Sequence, residues 1–369
     1  MGCAIAAEVS KRYQDVFVLE QMPRVGLGAS SRNSGVIHSG IYYSPGSLKA
    51  LHCVEGNRLT YEFCAAHNVP HKKTGKFVVA TTPEEKAQLE ELLARGQANG
   101  VLGLELVTAA ELRRHEPHVH VLGALRVPTA GIVGSEELTK AYAQVGVAQG
   151  THIVTNAKLE GIEPRLTSVR IRTTQGDLET QVLVNSAGLF ADEVAALLGN
   201  RNYCIYPVRG EYWEVVKAKA HLVNGLVYPA PDASGLSLGV HLTKTLGGTV
   251  LIGPNARYVA DKNDYERNRE PLEVFYARAQ RLCYVDDPCS CAAGVLQGPQ
   301  HVLGVPADGD GHYHIAGPEQ GPELAHEDFR IAHVVAQGRQ VGRVGCQADH
   351  PGVRTARPAR PEGPIGGEV

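Results

Sequence analysis

The 369-residue chain has no excess of either charge, with 36 Lys and Arg against 39 Asp and Glu, a net charge of −3. The signs are interspersed, which argues against a nucleic-acid binder and leaves no charged patch for a membrane surface. Nowhere do about eighteen apolar residues run uninterrupted, so no membrane-spanning helix is expected. No basic segment followed by an apolar one opens the chain, so no secretory signal is expected there. Aromatics are few, with one Trp and six Phe. The eight cysteines, at 3, 53, 64, 204, 283, 289, 291 and 346, are scattered too irregularly for a disulfide framework and read as reduced thiols. Cys283, Cys289 and Cys291 are spaced C-x5-C-x-C, which does not fit the paired spacing of a zinc site. What remains is an ordinary globular composition, long enough for two domains with their own cores.

One stretch stands apart from that background. Gly28 to Tyr43 reads GASSRNSGVIHSGIYY, a mixture that does not describe a core element. Glycine permits close backbone approach, and Ser, Asn and Arg offer donors to an anionic group. Just upstream, Val16 to Glu20 is a short apolar run ending in a carboxylate, as expected of a buried parallel strand. A strand ending in Glu and followed by a Gly/Ser-rich segment suits a dinucleotide: the carboxylate takes ribose hydroxyls and the loop follows the pyrophosphate.

Taken in order, Gly2 to Tyr13 has helical spacing, so it and Val16 to Glu20 form the helix and second strand of a βαβ nucleotide unit. The first strand and the first two glycines of G-x-G-x-x-G would precede Gly2. Leu48 to His67 reads as an amphipathic helix broken at Gly56, and Lys76 to Thr82 as the strand that begins a second domain. Helices are expected from Pro83 to about Asn99 and from Ala109 to His115, then an extended segment from Ala124 to Val133. Ser135 is expected to cap a helix reaching about Gln149. His152 to Asn156 reads as a strand; Ser168 to Asn185 reads as a hairpin and return strand running into Ala187-Gly188 and a helix from Leu189 to Leu198. Four strand-like runs, Tyr206 to Val216, Leu226 to Pro229, Leu236 to Thr243 and Thr249 to Pro254, predict an antiparallel sheet, and Pro271 to Cys283 a helix. Asp328 to His333 reads as a last strand, and Gly338 to Val369 is too Gly-, Pro- and Arg-rich to order itself.

The block NSGVIHSGIYYSPGSLKA (Asn33 to Ala50) resembles the flavoprotein family of L-2-hydroxyglutarate dehydrogenases, within the wider group of glycerol-3-phosphate and D-amino-acid oxidases. The resemblance continues through CVEGNRLTYEFC, TGKFVVAT, AGIVG, VNSAGLFADEV, VRGEYWEV and LGVHLT to GPNAR, covering residues 2 to 282 and thinning beyond about residue 285. It implies an α/β FAD-binding Rossmann-like domain with an incomplete first βα unit, and a mainly antiparallel-sheet substrate domain. The expected division is 1–75, 135–200 and 300–335 for FAD, 76–134 and 201–299 for substrate, and a disordered tail over 336–369. The implied reaction is oxidation of L-2-hydroxyglutarate to 2-oxoglutarate by hydride transfer to flavin N5. Electrons then pass to oxygen or to a quinone or electron-transfer chain, in a cytoplasmic protein or one peripheral on the inner membrane. A glycerol-3-phosphate dehydrogenase, or a truncated cofactor-free remnant, are the alternatives.

The resemblance places the cofactor against Gly2, Glu20, Ser30, Ser31, Arg32, Asn33, Ser34, Gly35, Ala187 and Gly188. His38 is the expected base, since imidazole titrates near neutrality; its other reading is a hydrogen-bond donor to flavin or backbone. His241 is a second base or a substrate ligand, or a satisfied sheet histidine. Arg209 offers a fork for a substrate carboxylate or an ion pair with Glu211. Tyr42 and Tyr43 wall the substrate pocket or pack as core aromatics.

Overall fold

In this computed structural model the described residues are 1–231, 239–265, 267–283 and the backbone of 301–304. The chain opens with α1 (Gly2–Val9), then β1 (Phe17–Leu19) and β2 (Val36–Ile37) on either side of the Gly/Ser stretch. Helix α2 (Leu48–Ala66) starts where Ser47 accepts a hydrogen bond from the Ala50 N–H, and it buries Ala50, Asn57 and Cys64, a stripe at heptad spacing. Strands β3 (His71–Lys72) and β4 (Lys76–Ala80) follow. Helix α3 (Pro83–Ala98) has Thr82 as N-cap, Pro83 in its first turn and two glutamates at its positive end. Next come β5 (Glu105–Thr108) and the single turn α4 (Ala109–Leu112), closed by a reciprocal Thr108–Glu111 capping box. The middle of the chain gives β6 (Gly123–Val127), β7 (Gly131–Val133), α5 (Ser135–Ala148), β8 (His152–Val154), β9 (Leu159–Pro164), β10 (Val169–Thr173), β11 (Gly176–Thr180) and α6 (Ala191–Leu197). The rest comprises β12 (Pro207–Gly210), β13 (Trp213–Glu214), β14 (Leu226–Pro229), β15 (His241–Lys244), β16 (Val250–Gly253), β17 (Arg257–Tyr258), α7 (Leu272–Gln280) and β18 (His301–Gly304).

Two substructures matter for the site. In the first, β1 and β8 pair in parallel, Val18 opposite Ile153, and α1 lies against α5 and β1 with Ala6 and Val16 buried. In the second, seven strands run in the order β13-β16-β15-β14-β4-β6-β5. Residues alternate through this sheet. Phe77, Val79 and Val227 face one cluster closed by Phe275 and Ala279 of α7; Val78, Ala80, Leu226 and Tyr228 face another closed by Leu89 and Leu92 of α3. The sheet is therefore covered on both faces.

Several expectations are corrected. Gly56 does not break α2: nothing lies within 4 Å of where its Cβ would sit, and the helix runs through at a glycine cost of about 1 kcal/mol. The N-cap of α5 is Gly134, not Ser135. The return strand stops at Thr180, leaving Leu183 to Ser186 without strand pairing before a 3-10 turn at Gly188–Phe190. The sheet is not wholly antiparallel, because β14 runs parallel to β4 with Val227 opposite Phe77. These two strands come from distant segments, so no hairpin dictates their direction. Strand β7, within the segment expected to cover the substrate, pairs with β2 and β3 on either side. The strand over Asp328 to His333, the tail over 336–369, Cys289 and Cys291 lie outside the described residues.

A buried ionic centre ties β12 to the segment after β17. Arg209 is fully buried, and its Nη1 donates to Asp264 Oδ1 at 2.9 Å and its Nη2 to Glu211 Oε1 at 2.6 Å and to the Arg267 carbonyl at 2.5 Å. Glu211 Oε2 in turn accepts from Asn255 Nδ2 at 3.1 Å and from the Glu270 N–H at 2.9 Å. Removing one partner leaves a buried guanidinium short of its counter-charge. Glu211→Ala is expected to lower unfolding free energy by about 3–5 kcal/mol in urea titrations. A loss below about 1 kcal/mol would show the centre to be solvated, as at a surface pair.

Candidate active site

The candidate nucleotide end of the site is built from three chain segments. The start of α1 touches the turn before α6, since a Cβ on Gly2 would stand 2.7 Å from Ser186 Oγ. Ala187 and Gly188 follow in that turn, both exposed, with Gly188 at φ +58° and open space where its Cβ would be. The Ala187 N–H donates to Asn185 Oδ1 at 3.2 Å, and Asn185 Nδ2 donates to the Ala191 carbonyl at 2.7 Å, which fixes the turn. Glu20 follows β1, its backbone N–H on the Val154 carbonyl and its carboxylate accepting from the Met22 N–H at 2.9 Å. The same carboxylate is felt by Cys3: burial is the main cause that raises this thiol, the terminal ammonium opposes it, and Glu20 adds to it. Gly2, Glu20, Ala187 and Gly188 are thus brought together at one end of β1.

The Gly/Ser stretch spends much of its polarity on its own shape. Asn33 Nδ2 donates to the Ala29 and Ser30 carbonyls, and Asn33 Oδ1 accepts from the Gly35 N–H at 2.9 Å. Ser31 Oγ points back to the Gly28 carbonyl at 3.4 Å. Arg32 donates to the Leu27 carbonyl and lies over the Tyr265 ring, 4.1 Å from its centroid. At Gly35 φ is +69° and a Cβ would fall 2.5 Å from the Val133 carbonyl oxygen, so only glycine fits beside β7. Ser34 hydrogen-bonds the Tyr212 hydroxyl and so joins the loop to the seven-stranded sheet.

Beyond β2 the chain from His38 to Tyr43 has no strand partner, and side-chain amides satisfy its carbonyls. Asn57 Nδ2 of α2 donates to the His38 carbonyl at 2.9 Å, and Asn99 Nδ2 after α3 donates to the carbonyls of Gly40 at 2.9 Å and Tyr43 at 2.8 Å. The His38 ring is half-buried in this pinned segment. Next to it, Ser39 is 2 % exposed and its hydroxyl has no hydrogen-bond partner among the described residues.

The seven-stranded sheet and the strands beside it carry a row of candidate side chains. His241 and Gly253 are register partners, and Trp213 lies opposite Ile252, which sets Tyr212 beside Gly253. A Cβ on Gly253 would stand 2.8 Å from the Tyr212 ring, so the glycine makes room for it. His241 stacks on Tyr228, ring centroids 3.7 Å apart and planes 15° from parallel. Its Nδ1 lies 3.0 Å from the Gly239 carbonyl, which can only accept; Nδ1 therefore carries the proton, and in the neutral ring Nε2 is the basic nitrogen. Two residues down β4 from Val78 sits Lys76, 1 % exposed, its ammonium 4.7 Å from the Tyr228 ring centroid, 4.4 Å from that of Tyr42 and 3.3 Å from the Tyr42 hydroxyl.

Sequence reasoning placed His38, Tyr42 and His241 around this region, and placed Tyr43, whose ring lies under the Lys49 ammonium at 4.7 Å, beside it. Arg209 is elsewhere: both terminal nitrogens of its fork are held by Glu211, Asp264 and the Arg267 carbonyl, so the ion-pair reading is the one present, not a carboxylate anchor. Missed were Ser39, Tyr212, Tyr228, the two asparagines and Lys76. Lys76 had a legible signal, since period 2 puts it on the apolar face of Lys-Phe-Val-Val-Ala with Val78 and Ala80.

These residues fit a flavin dinucleotide. A carboxylate at a strand end, a small-residue turn with open space above it, a glycine at a helix start and an orphaned buried hydroxyl are the groups such a ligand needs. The class defined is a flavoprotein oxidoreductase with a Rossmann-like FAD-binding domain and an antiparallel-rich sheet domain. The model of the FAD dependent oxidoreductase family matches residues 1–323, and the chain belongs to that family. It is 38% identical over 283 residues to the L-2-hydroxyglutarate dehydrogenase of Salmonella houtenae, covering 74% of this chain and 67% of that protein. With the mitochondrial L-2-hydroxyglutarate dehydrogenase of Caenorhabditis elegans the identity is 40% over 273 residues, covering 72% and 63%. The chain thus spans about two thirds of the length of these relatives. Among solved structures, the FAD-bound L-alpha-glycerophosphate oxidase from Mycoplasma pneumoniae superposes with a TM-score of 0.74 at 23% identity, covering 83% of this chain and 80% of that one. Glycine oxidase from Geobacillus kaustophilus gives 0.68 at 21%, covering 86% of each. At these identities the superpositions establish the fold.

Burial pushes the Lys76 ammonium down to about 7, with the nearby Cys53 opposing. An unfolded lysine titrates near ~10.4. Between those values the unfolded chain holds the extra proton, so this group makes folding more favourable as pH rises from about 7 to about 10. The urea midpoint of the parent should therefore climb relative to that of Lys76→Met between about pH 7 and 9.5. Parallel midpoints across that range would mean Lys76 titrates as an exposed lysine does.

Proposed function

We propose that this chain oxidises a 2-hydroxy acid, L-2-hydroxyglutarate, to the 2-oxo acid. The observation that carries the reading is the 36–40% identity to relatives named L-2-hydroxyglutarate dehydrogenase over 67–72% of the chain, together with a family match whose residues 1–323 include the pinned His38–Tyr43 segment and the facing sheet row. FAD, when bound, supplies the acceptor for the α-hydrogen and its two electrons. The protein's own share is geometry and proton transfer. Glu20, Gly2 and the Ala187-Gly188 turn hold the adenosine end, and the Gly28–Gly35 loop with Ser39 holds the remainder. His38 takes the proton of the substrate hydroxyl as general base. His241, with Nε2 as its basic nitrogen, orients the developing carbonyl from the sheet side. Tyr228, His241 and Lys76 are each less than 5 % exposed, so water is kept from that side of the site.

The electrons then leave for a second acceptor. Among the described residues no helix is long and apolar enough to cross a membrane. A quinone acceptor would call for a peripheral membrane contact, and oxygen would not; hydrogen peroxide release in detergent-free buffer separates them.

L-2-hydroxyglutarate should bleach the flavin absorbance of the protein and yield 2-oxoglutarate. Bleaching by glycerol 3-phosphate and not by the hydroxy acid would replace this reading with the phosphate-ester one. His38→Ala should retain flavin and lose turnover by about 10²- to 10⁴-fold, the usual share of a general base. A variant with parental turnover would remove His38 from the chemistry.

A further inference from the structure

Two cations are buried deeply in the described structure, and they differ in their partners. Arg209 has two carboxylates. Lys76 has none: burial and the Cys53 thiol are the influences on its charge, and its hydrogen bond runs to a neutral phenol. An isolated buried ammonium is costly unless something compensates it. Two aromatic faces do so in part, holding it between Tyr42 and Tyr228. The groups around it are Tyr42 from the pinned segment, Cys53 and Lys49 from α2, and Tyr228 and His241 from β14 and β15. Every one of these is neutral or cationic at neutral pH, burial holding both tyrosines and Cys53 protonated.

The direction of the hydrogen bond has a chemical consequence. An ammonium only donates, so the Tyr42 oxygen is the acceptor, and the Tyr42 proton must point elsewhere. Lys76 and Tyr228 are each 1 % exposed, whereas Tyr42 as a residue is half-buried although its phenol is desolvated, so Tyr42 is the member of this cluster nearest the surface. Such a pair is a hydrogen-bond donor backed by positive charge, which suits a carboxylate.

We propose that Lys76 is a positioning residue for anionic substrate: its ammonium orients Tyr42, and Tyr42 donates its hydroxyl hydrogen to a carboxylate of the 2-hydroxy acid. This rests on the oxidation reading above and supplies the carboxylate recognition that Arg209, committed to Glu211 and Asp264, does not. The bound carboxylate favours the charged lysine, so binding above neutral pH takes up a proton.

The test uses the full FAD-loaded chain and glutarate, a dicarboxylate with no hydroxyl to oxidise. Calorimetry at about pH 8 in two buffers of different ionisation enthalpy gives both affinity and proton uptake. The parent should take up a large fraction of a proton, and Lys76→Met should take up none while binding glutarate about 10- to 100-fold more weakly, the range for a charge-assisted hydrogen bond. Tyr42→Phe should weaken binding similarly, and the double variant should be no worse than either single one. In turnover, Lys76→Met should raise KM with little change in kcat, and flavin content should stay at the parental level. Equal affinity and equal proton uptake in parent and Lys76→Met would overturn the inference while leaving the oxidation reading intact. A parent that binds neither glutarate nor L-2-hydroxyglutarate would overturn both. Should Lys76→Met not fold, the parent decides alone: glutarate affinity that stays flat from about pH 6 to 9, without proton uptake, overturns the inference.

Discussion

The site depends on two asparagine side chains. From His38 to Tyr43 the backbone runs between the two parts of the molecule without a strand beside it, and a buried carbonyl with no donor is costly. Asn57 and Asn99 supply the donors, one from the middle of α2 and one from the residue after α3. Each helix is itself seated by its apolar stripe, so core packing is converted into the position of a loop. Asn57 Nδ2 also reaches the Thr129 carbonyl at 3.0 Å, which carries the same constraint to the β6–β7 connection. The segment bearing the proposed base is therefore held at three of its carbonyls, although it has none of a strand's pairing.

Around that scaffold the protein treats its buried charges in opposite ways. The Arg209 centre pairs the two terminal nitrogens of a guanidinium with two carboxylates and a carbonyl, an amide in turn bonding Glu211, and its role is to hold β12 against the loop after β17. Lys76 sits on the adjoining sheet with aromatic faces and a phenol instead. The first arrangement balances its charge within the chain, and the second is electrostatically open toward an anion. The same residue type of interaction, a cation on an inner sheet face, thus serves architecture in one place and recognition in the other.

Much of this was legible in the sequence, and the failures have physical causes. The Gly/Ser stretch declared itself because such a composition has no use in a core, and Glu20 declared itself by ending an apolar strand. Helices α3 and α4 were readable because their caps are local: Thr82, Pro83, Thr108 and Glu111 act within one turn. The fork of Arg209 was ambiguous since its partners Asp264 and Arg267 are more than fifty residues away in the chain. Tyr228 and His241 share a face only because β14 and β15 pair in one register, and register is not written in either strand alone. Lys76 was visible as a polar residue in an apolar alternation but was read past, because lysine is so seldom buried.

The parallel contact between β4 and β14 bears on how the chain acquires its shape. Val227 lies opposite Phe77, a separation of 150 residues by subtraction. Until Leu226 to Pro229 has left the ribosome, β4 has β6 on one edge and nothing on the other, with hydrogen-bonding groups and Val78 and Val79 exposed there. Contacts this remote close late and slowly, since the loop entropy is lost before the pairing is gained. The first half of the chain can therefore settle α1, α5 and the β1–β8 pair during synthesis, whereas the seven-stranded sheet waits. The β1–β8 pair and its two helices are assembled early, and Lys76 takes up its aromatic cage only when the second half arrives.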